Sequence, residues 1–173
     1  YDLIILGDIK GSALPKKFKE LVAEMVLKRG AGLVVIAGRR GGYQTWRGSP
    51  LEKILPIRLP DTFNSAASPT PTMFRPLLTD AGMRHPILQL ADDPAQGVVL
   101  WNELPQVSWA APSDGLSRGA LALAVHTHRI TDTGRQPLIA SLRLGAGKVL
   151  FFGIEETWRW RRVIGDRYHY KLW

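Results

Sequence analysis

The sequence predicts an α/β fold, and three features of the chain carry that prediction. Near the N-terminus an amphipathic segment separates two short apolar runs, the pattern of parallel strands joined by a crossover helix. Three more strand-like runs follow residue 119, at 120–126, 138–144 and 148–154. Residues 145–147 read Gly-Ala-Gly, a tight turn that makes the last two runs a hairpin. Together these elements predict a mixed sheet with helices on its faces.

The N-terminal unit has the clearest periodicity. Residues 3–6 and 33–37 are uninterrupted apolar runs, typical of strands buried on both faces of a parallel sheet. The segment between them places apolar residues on one helical face, at Phe18, Leu21, Val22, Met25 and Val26. Ser12 is a plausible N-cap, Pro15 suits the first turn, and Gly30 fits the C-terminal cap. A crossover of this length should be right-handed.

The middle of the chain contains shorter elements. Residues 49–55 read as a short helix with Ser49 as its N-cap. Residues 59–72 are rich in Pro, Ser and Thr without a hydrophobic period, which predicts a surface loop. A short strand is expected near 74–78, a turn at 80–82, and a helix or strand at 97–104 with Trp101 as a packing anchor. No repeat interrupts the chain, so residues 1–173 are expected to form one domain.

Composition excludes several functional classes. The 173 residues contain no cysteine, which removes disulfides, thiolate metal sites and cysteine nucleophiles. No apolar run approaches the roughly 18–20 residues of a membrane span. The net charge of +8 favours anionic partners. Arginines alternate with aromatic residues after Glu156, a mixture typical of a packed terminal helix with solvated arginines, of a membrane interface, or of a site for single-stranded nucleic acid.

The candidate binding residues follow the first two strands. Ligands of open α/β sheets bind beyond the carboxyl ends of parallel strands, which directs attention to Asp8, Arg39, Arg40 and Tyr43. Glycines at 38, 41 and 42 allow close backbone approach, and two adjacent arginines offer planar donors to a carboxylate or phosphate. The alternative is a tight turn with solvated arginines. Asp8 is either a general base or a cap for the following turn.

Two further groups of residues have the composition of a site. His126 and His128 alternate on a predicted strand, a spacing that metal sites use, and with Asp8 they define the hypothesis of a metal-assisted hydrolase. Glu155 and Glu156 follow the last strand and precede Arg159; such carboxylates form ion pairs or belong to an active site. The serines lack the context of a nucleophile elbow, so serine hydrolysis is unsupported.

Four stretches of the chain read YDLIILGDI, GLVVIAGRRGGY, SPLEKILPI and GKVLFFGIEETWRWR. Together they resemble the class I glutamine amidotransferase-like domains of bacterial membrane proteins, which often accompany von Willebrand factor A modules. The resemblance extends to trehalose-utilisation-type relatives and covers most of the chain. It implies a flavodoxin-like three-layer sandwich with a mainly parallel sheet and an added C-terminal β-hairpin. It also implies that the strand ending at Ala37 corresponds to the one that carries the catalytic cysteine of true amidotransferases.

The resemblance implies an inactive site. Ala37, or Gly38 at one residue's error, stands at the nucleophile position, and neither side chain can attack an amide. The family's histidine is expected two residues before a glutamate, yet the stretch from Gly153 to Glu155 contains no histidine. With two of the three triad positions empty, no glutaminase activity is expected.

The function implied is recognition by a non-catalytic domain of a membrane-anchored bacterial protein, on the outer side of the membrane. The chain opens on Tyr1 rather than Met, directly before a strand, so an excised fragment that lacks a first strand is expected. No cofactor or metal is expected, and the partner is an unknown protein or a small anionic ligand. The expected ligand-binding residues are Asp8, Arg39, Arg40, Tyr43, Glu155 and Arg159. The alternatives are the metal-assisted hydrolase and a basic nucleic-acid-binding module.

Overall fold

The computed structural model describes residues 1–61, 73–164 and 171–172. These residues form a six-stranded sheet, a two-stranded ribbon and helices on the faces of the sheet. The strands are β1 (Leu3–Leu6), β2 (Gly32–Ile36), β3 (Ile57–Arg58), β4 (Leu77–Leu78), β5 (Gly115–Leu116), β6 (Leu121–Thr131), β7 (Gly134–Leu144) and β8 (Gly147–Phe152). The α-helices are α1 (Lys16–Arg29), α2 (Asp80–Arg84), α3 (Pro94–Glu103) and α4 (Trp158–Ile164).

The six-stranded sheet has the order β1-β2-β8-β7-β6-β4. β1 pairs with β2, and β2 with β8, in parallel. The pairs β8/β7, β7/β6 and β6/β4 are antiparallel. The ribbon β3/β5 is also antiparallel.

The expectation of a flavodoxin-like sandwich with a mainly parallel sheet is therefore wrong. The tight turn after Leu144 forces β8 to run antiparallel to β7, and a second tight turn forces β7 to run antiparallel to β6. The predicted hairpin is present, but it is not an addition at an edge: β8 lies beside β2, in the interior of the sheet. This central position of β8 divides the sheet into a parallel half and an antiparallel half.

The crossover helix α1 connects β1 to β2 as the periodicity predicts. Gly30 is its C-cap, and the Gly30 amide donates to the carbonyl of Met25. The Ser12 cap is wrong, because residues Gly11–Ala13 form a separate 3₁₀ turn and the helix begins after Pro15. The expectation that β1 is buried on both faces is also wrong: β1 is an edge strand, with Leu3 53% and Ile5 59% exposed.

Two apolar clusters lie on the two faces of the sheet. Alternate residues of β8 face different clusters: Val149 and Phe151 pack with α1, whereas Phe152 packs with the cluster that contains Trp101 and Trp160. Trp101 of α3 and Trp160 of α4 meet edge to face with ring centroids 5.7 Å apart. Trp101 is thus a packing anchor, as predicted, and its indole nitrogen donates to the carbonyl of Leu88 at 2.7 Å.

The middle and final segments differ from the expected elements mainly in length. Residues 52–54 form only a 3₁₀ turn, the strand expected at 74–78 is reduced to β4, and a short helix, α2, stands where a turn was expected. Strands β6 and β7 extend beyond the predicted 120–126 and 138–144, with register irregularities between Val125 and Ile130. Pro137 lies in β7 beside these irregularities, where a proline argues against a regular strand. Of the loop predicted at 59–72, residues 62–72 lie outside the described residues.

Candidate functional site

The carboxyl ends of β1, β2 and β8 meet at one edge of the sheet, because these three strands are parallel neighbours. β1 continues into Asp8, β2 into the turn at 38–42, and β8 into two glutamates. We call the charged surface formed there the strand-end rim, defined by Asp8, Arg39, Arg40, Glu155 and Glu156. Of the six expected ligand-binding residues, the structure brings Asp8, Arg39, Arg40 and Glu155 to this edge.

Asp8 caps the turn that follows β2. Its Oδ2 accepts from the Arg40 amide at 2.8 Å, and its Oδ1 accepts from the Gly42 amide at 2.5 Å. The turn is packed so closely that a Cβ at Gly38 would lie 2.6 Å from Asp8 Oδ2, and a Cβ at Gly42 would lie 2.6 Å from the backbone of Ile9. Of the two interpretations of Asp8, the geometry thus supports the cap.

Arg39 is held by carboxylates and a hydroxyl. Its Nη2 donates to Glu156 Oε1 at 2.9 Å and to Ser108 Oγ at 3.1 Å. Its Nε lies 3.7 Å from Glu155 Oε2, which also accepts from the Arg39 amide at 3.1 Å. The guanidinium carbon lies 5.8 Å from the ring centroid of Trp109. These contacts neutralise Arg39 and tie the β2 loop to the β8 loop.

Glu156 is the buried centre of this network. Its side chain is 8% exposed and accepts from the amide and, at 2.8 Å, from the hydroxyl of Ser108. Arg159 Nη1 lies 3.8 Å from Glu156 Oε1. Burial alone would raise the pKa of Glu156, but the hydrogen bonds from Ser108, followed by the charges of Arg159 and Arg39, lower it below its ordinary value. Glu156 is therefore ionised at neutral pH.

Tyr43 lies in the core beneath the rim and not on its surface. Its side chain is 0% exposed and meets Phe151 edge to face at 5.5 Å. The hydroxyl donates to the Pro112 carbonyl at 2.6 Å and accepts from Gln44 Nε2 at 3.2 Å. Burial raises the pKa of Tyr43, and the charge of Asp8 adds to this, outweighing the opposing hydrogen bond from Gln44. The expectation that Tyr43 faces a ligand does not fit this burial.

The position of the expected nucleophile offers no reactive group. Ala37 is 0% exposed, and its amide donates to the carbonyl of Phe152 at 2.8 Å. At Gly38 the neighbouring Asp8 side chain occupies the space of a side chain. After β8 the chain continues through Gly153 and Ile154 to Glu155, without a histidine.

The two histidines of the metal hypothesis lie in the antiparallel half of the sheet. His126 is 5% exposed and stacks on Phe74 with centroids 4.0 Å apart, whereas His128 is exposed. His126 Nδ1 accepts from the amides of His128 and Arg129 at 3.0 and 3.2 Å. Burial, with the charges of Arg129 and His128, lowers the pKa of His126 to about 4.

Asp8 cannot complete a metal site with these histidines. It follows the edge strand β1, and four strand spacings separate β1 from β6, which amounts to roughly 19 Å. Within the described ranges, no cluster of three or more potential ligand side chains could hold a metal ion. The geometry therefore gives no support to the metal-assisted hydrolase.

The C-terminal aromatic residues divide between core and surface. Trp160 is 1% exposed, and its indole nitrogen donates to the Pro105 carbonyl at 2.9 Å. Trp158 is 53% exposed, with Arg159 over its ring at 5.7 Å. The rest of the arginine and aromatic segment, residues 165–170 and 173, lies outside the described residues. None of the described helices has the length and apolar character needed to cross a membrane.

Sequence reasoning did not identify Ser108 and Trp109, both of which contact Arg39. They belong to the segment after α3, which contains no motif. Ser108 lies 69 positions after Arg39 in the sequence. A serine or a tryptophan in an irregular segment gives no signal by itself. Only the fold brings this segment to the rim.

Comparison with known proteins supports the fold and leaves the function open. No protein-family model matches the chain, and no curated protein matches it. Among solved structures, Cytoplasmic Protein STM3548 from Salmonella typhimurium is similar with a TM-score of 0.68 and 16% identity, over 99% of this chain and 70% of that one.

Two more solved structures resemble the chain. Cytoplasmic Protein STM1381 from Salmonella typhimurium LT2 matches with a TM-score of 0.67 and 18% identity, over 99% of this chain and 68% of that one. A cold-adapted beta-galactosidase from Rahnella sp. R3 matches with a TM-score of 0.53 and 12% identity, over 99% of this chain but only 22% of the enzyme. At such low identities the likeness is one of fold alone.

Proposed function

We propose that this chain is a non-catalytic class I glutamine amidotransferase-like domain that recognises a protein or a small anionic ligand at the strand-end rim. The observation that carries the proposal is the turn after β2. The resemblance makes this turn the counterpart of a nucleophile turn, but Ala37 is buried and the space beside Gly38 is filled by Asp8. A rim without a nucleophile, built on three convergent loops, is suited to binding.

The charges of the rim support recognition of an anionic group. Arg39 is paired with Glu155 and Glu156, but Arg40 is exposed, and no carboxylate of the described residues forms an ion pair with it. Asp8 accepts hydrogen bonds from the backbone amides of Arg40 and Gly42, and these bonds fix the turn at this position. Arg40 is thus a charged donor on a pinned turn, available to a carboxylate or phosphate of the partner.

The membrane anchor in this proposal rests on the sequence resemblance, which relates the chain to domains of bacterial membrane proteins. The sequence of the complete gene product tests the membrane anchor directly. Apolar segments of about 20 residues on either side of the domain are expected. A gene product without such segments would contradict the membrane anchor. It would not bear on the recognition site, which has its own test.

The experiment for the recognition site uses a photo-crosslinking residue. It is placed at Arg40 in the complete gene product, and at Arg143 of β7, which is also exposed, as a control on another surface. A single defined adduct is expected from position 40 and not from position 143. In parallel, the purified protein is expected to release no ammonia from glutamine. Adducts from both positions, or measurable glutaminase activity, would overturn the proposal.

A further inference from the structure

A second surface lies beside the strand-end rim, between α4 and two extended segments. It is an open groove of about 560 Å³, a volume within the usual range of ligand sites. We call it the cationic groove and define it by Met73, Arg75, Trp158, Arg159, Arg162 and Val163.

One wall of the groove is the outer face of α4. Residues 158, 159, 162 and 163 recur at helical spacing and lie within one face, while Trp160 points to the opposite side and is buried. Trp158 and Val163 are 53% and 68% exposed. The packing of Trp160 against Trp101 holds this wall in place, while Trp158 and Val163 on its outer face stay exposed among the described residues.

The other wall follows from a short antiparallel pairing. Phe74 and Val107 exchange two backbone hydrogen bonds of 2.9 Å, and both side chains are buried. Because side chains alternate along an extended chain, Met73, Arg75 and Gln106 point away from the core and into the groove. Arg75 uses its Nε to donate to the Leu104 carbonyl at 3.2 Å, which fixes the direction of its guanidinium.

Most of the charge of the groove is uncompensated within the part of the chain that the structure describes. Its lining among the described residues includes three arginines and no carboxylate. Arg159 approaches Glu156 of the rim, but no carboxylate of the described part of the chain pairs with Arg75 or Arg162. Exposed Trp, Met and Arg side chains are also the residue types enriched in the cores of protein interfaces.

We propose that the cationic groove binds an extended peptide segment of a partner protein in which acidic residues alternate with apolar ones. Arginine guanidinium groups donate bidentate hydrogen bonds to carboxylates, and Trp158, Met73 and Val163 offer contacts to apolar side chains. The Gln106 amide supplies both a donor and an acceptor, which is what a peptide backbone requires and a phosphate or an acyl chain does not. A groove between two facing walls can enclose an extended peptide, whereas a bilayer surface contacts groups that protrude from a protein.

The test measures binding by fluorescence anisotropy with labelled octapeptides. One peptide alternates Glu and Leu, and its counterparts alternate Gln and Leu or Lys and Leu. The Glu-Leu peptide is expected to bind, and its affinity should fall as the salt concentration is raised. The Gln-Leu and Lys-Leu peptides are expected not to bind. Equal binding of the Glu-Leu and Gln-Leu peptides, or no binding of the Glu-Leu peptide at low salt, would overturn the inference.

Matched variants locate the binding surface. The double variant Arg75→Gln/Arg162→Gln is expected to weaken the Glu-Leu peptide by at least roughly tenfold, and Trp158→Ala by a comparable factor. The double variant Arg118→Gln/Arg143→Gln removes the same charge from exposed positions elsewhere and is expected to change the affinity less than about twofold. Equal losses from the two double variants would contradict a localised site.

Competing occupants are outcomes of the same experiment. Anionic vesicles or a single-stranded oligonucleotide that binds more tightly than the peptide, and loses affinity in Arg75→Gln/Arg162→Gln, would assign the groove to a lipid surface or to nucleic acid instead. Arg75 and Arg162 do not belong to the strand-end rim. The result therefore tests the groove separately from the proposed recognition site at Arg40.

Discussion

The strand-end rim and the cationic groove lie side by side, yet their arginines have different surroundings. In the rim, Arg39 contacts Glu155, Glu156 and Ser108, so its charge is neutralised within the protein. In the groove, Arg75 and Arg162 form no ion pair with any described carboxylate. An arginine paired with a buried carboxylate therefore connects loops, whereas an arginine without a described carboxylate partner, beside exposed apolar groups, is available to a partner. Arg159, which touches both regions, joins them.

Glu156→Ala should produce the largest loss of stability. The substitution leaves the amide of Ser108 without its acceptor and removes the buried partner of Arg39, so we expect the free energy of unfolding to fall by about 3 kcal/mol. Urea-induced unfolding measures this change. Glu155→Ala is the matched control, because Glu155 is 45% exposed and should cost less than about 0.5 kcal/mol. Similar losses in the two variants would show that the rim is not organised around Glu156.

His126 differs from the charged residues of the rim and the groove, because it is buried in the neutral form. Its pKa is lowered to about 4 in the folded protein, against an ordinary 6.5. Between these values the unfolded chain binds a proton that the folded chain does not, so stability is lost as pH falls from 6.5 through about 4. We expect a loss of about 2 kcal/mol over this window.

His126→Gln should remove most of this pH dependence, because glutamine has no proton to bind in the window. His128→Gln should retain it, since the exposed His128 side chain only adds to the effect of burial on His126. Thermal unfolding at a series of pH values from 7 to about 4 measures both variants. An unchanged pH dependence in His126→Gln would assign it to other groups.

The rim was more predictable from sequence than the groove, for a physical reason. The carboxyl ends of neighbouring parallel strands must meet, so apolar runs and a crossover helix suffice to bring Asp8 close to the turn at 38–42. The sequence also placed Glu155 at a strand end. It could not distinguish Tyr43 in the core from Arg40 on the surface, since both belong to one glycine-rich turn.

The remaining features depend on contacts between distant segments. Apolar runs do not reveal which strands are neighbours, so the central position of β8 and the edge position of β1 were not predictable. The polar composition of residues 127–135 and the proline at 137 concealed the long β6/β7 hairpin. Residues 73 and 75 line the groove together with α4, which lies more than 80 positions later in the chain. No local sequence pattern predicts that these segments are close.

Gly38→Ala tests the packing of the turn on which the rim is built. The new Cβ would lie 2.6 Å from Asp8 Oδ2 and 2.7 Å from Asp8 Cβ, so the turn or the Asp8 cap must move. We expect a loss of about 1.5 kcal/mol in urea unfolding. The control is Gly97→Ala in α3, where no atom lies within 4 Å of the added Cβ and a gain of up to about 1 kcal/mol is expected. Equal stability of the two variants would mean that Asp8 does not fill the space beside Gly38.

Arg75→Gln/Arg162→Gln should have the smallest effect on stability. Neither guanidinium neutralises a described carboxylate, so their removal should change the free energy of unfolding by less than about 0.5 kcal/mol. The mutual repulsion of three neighbouring arginines also falls, which opposes any loss of the bond from Arg75 to Leu104. A loss as large as that of Glu156→Ala would place these arginines in the framework of the fold and remove the distinction between rim and groove. An unchanged stability, combined with weaker peptide binding, would assign the groove arginines to recognition alone.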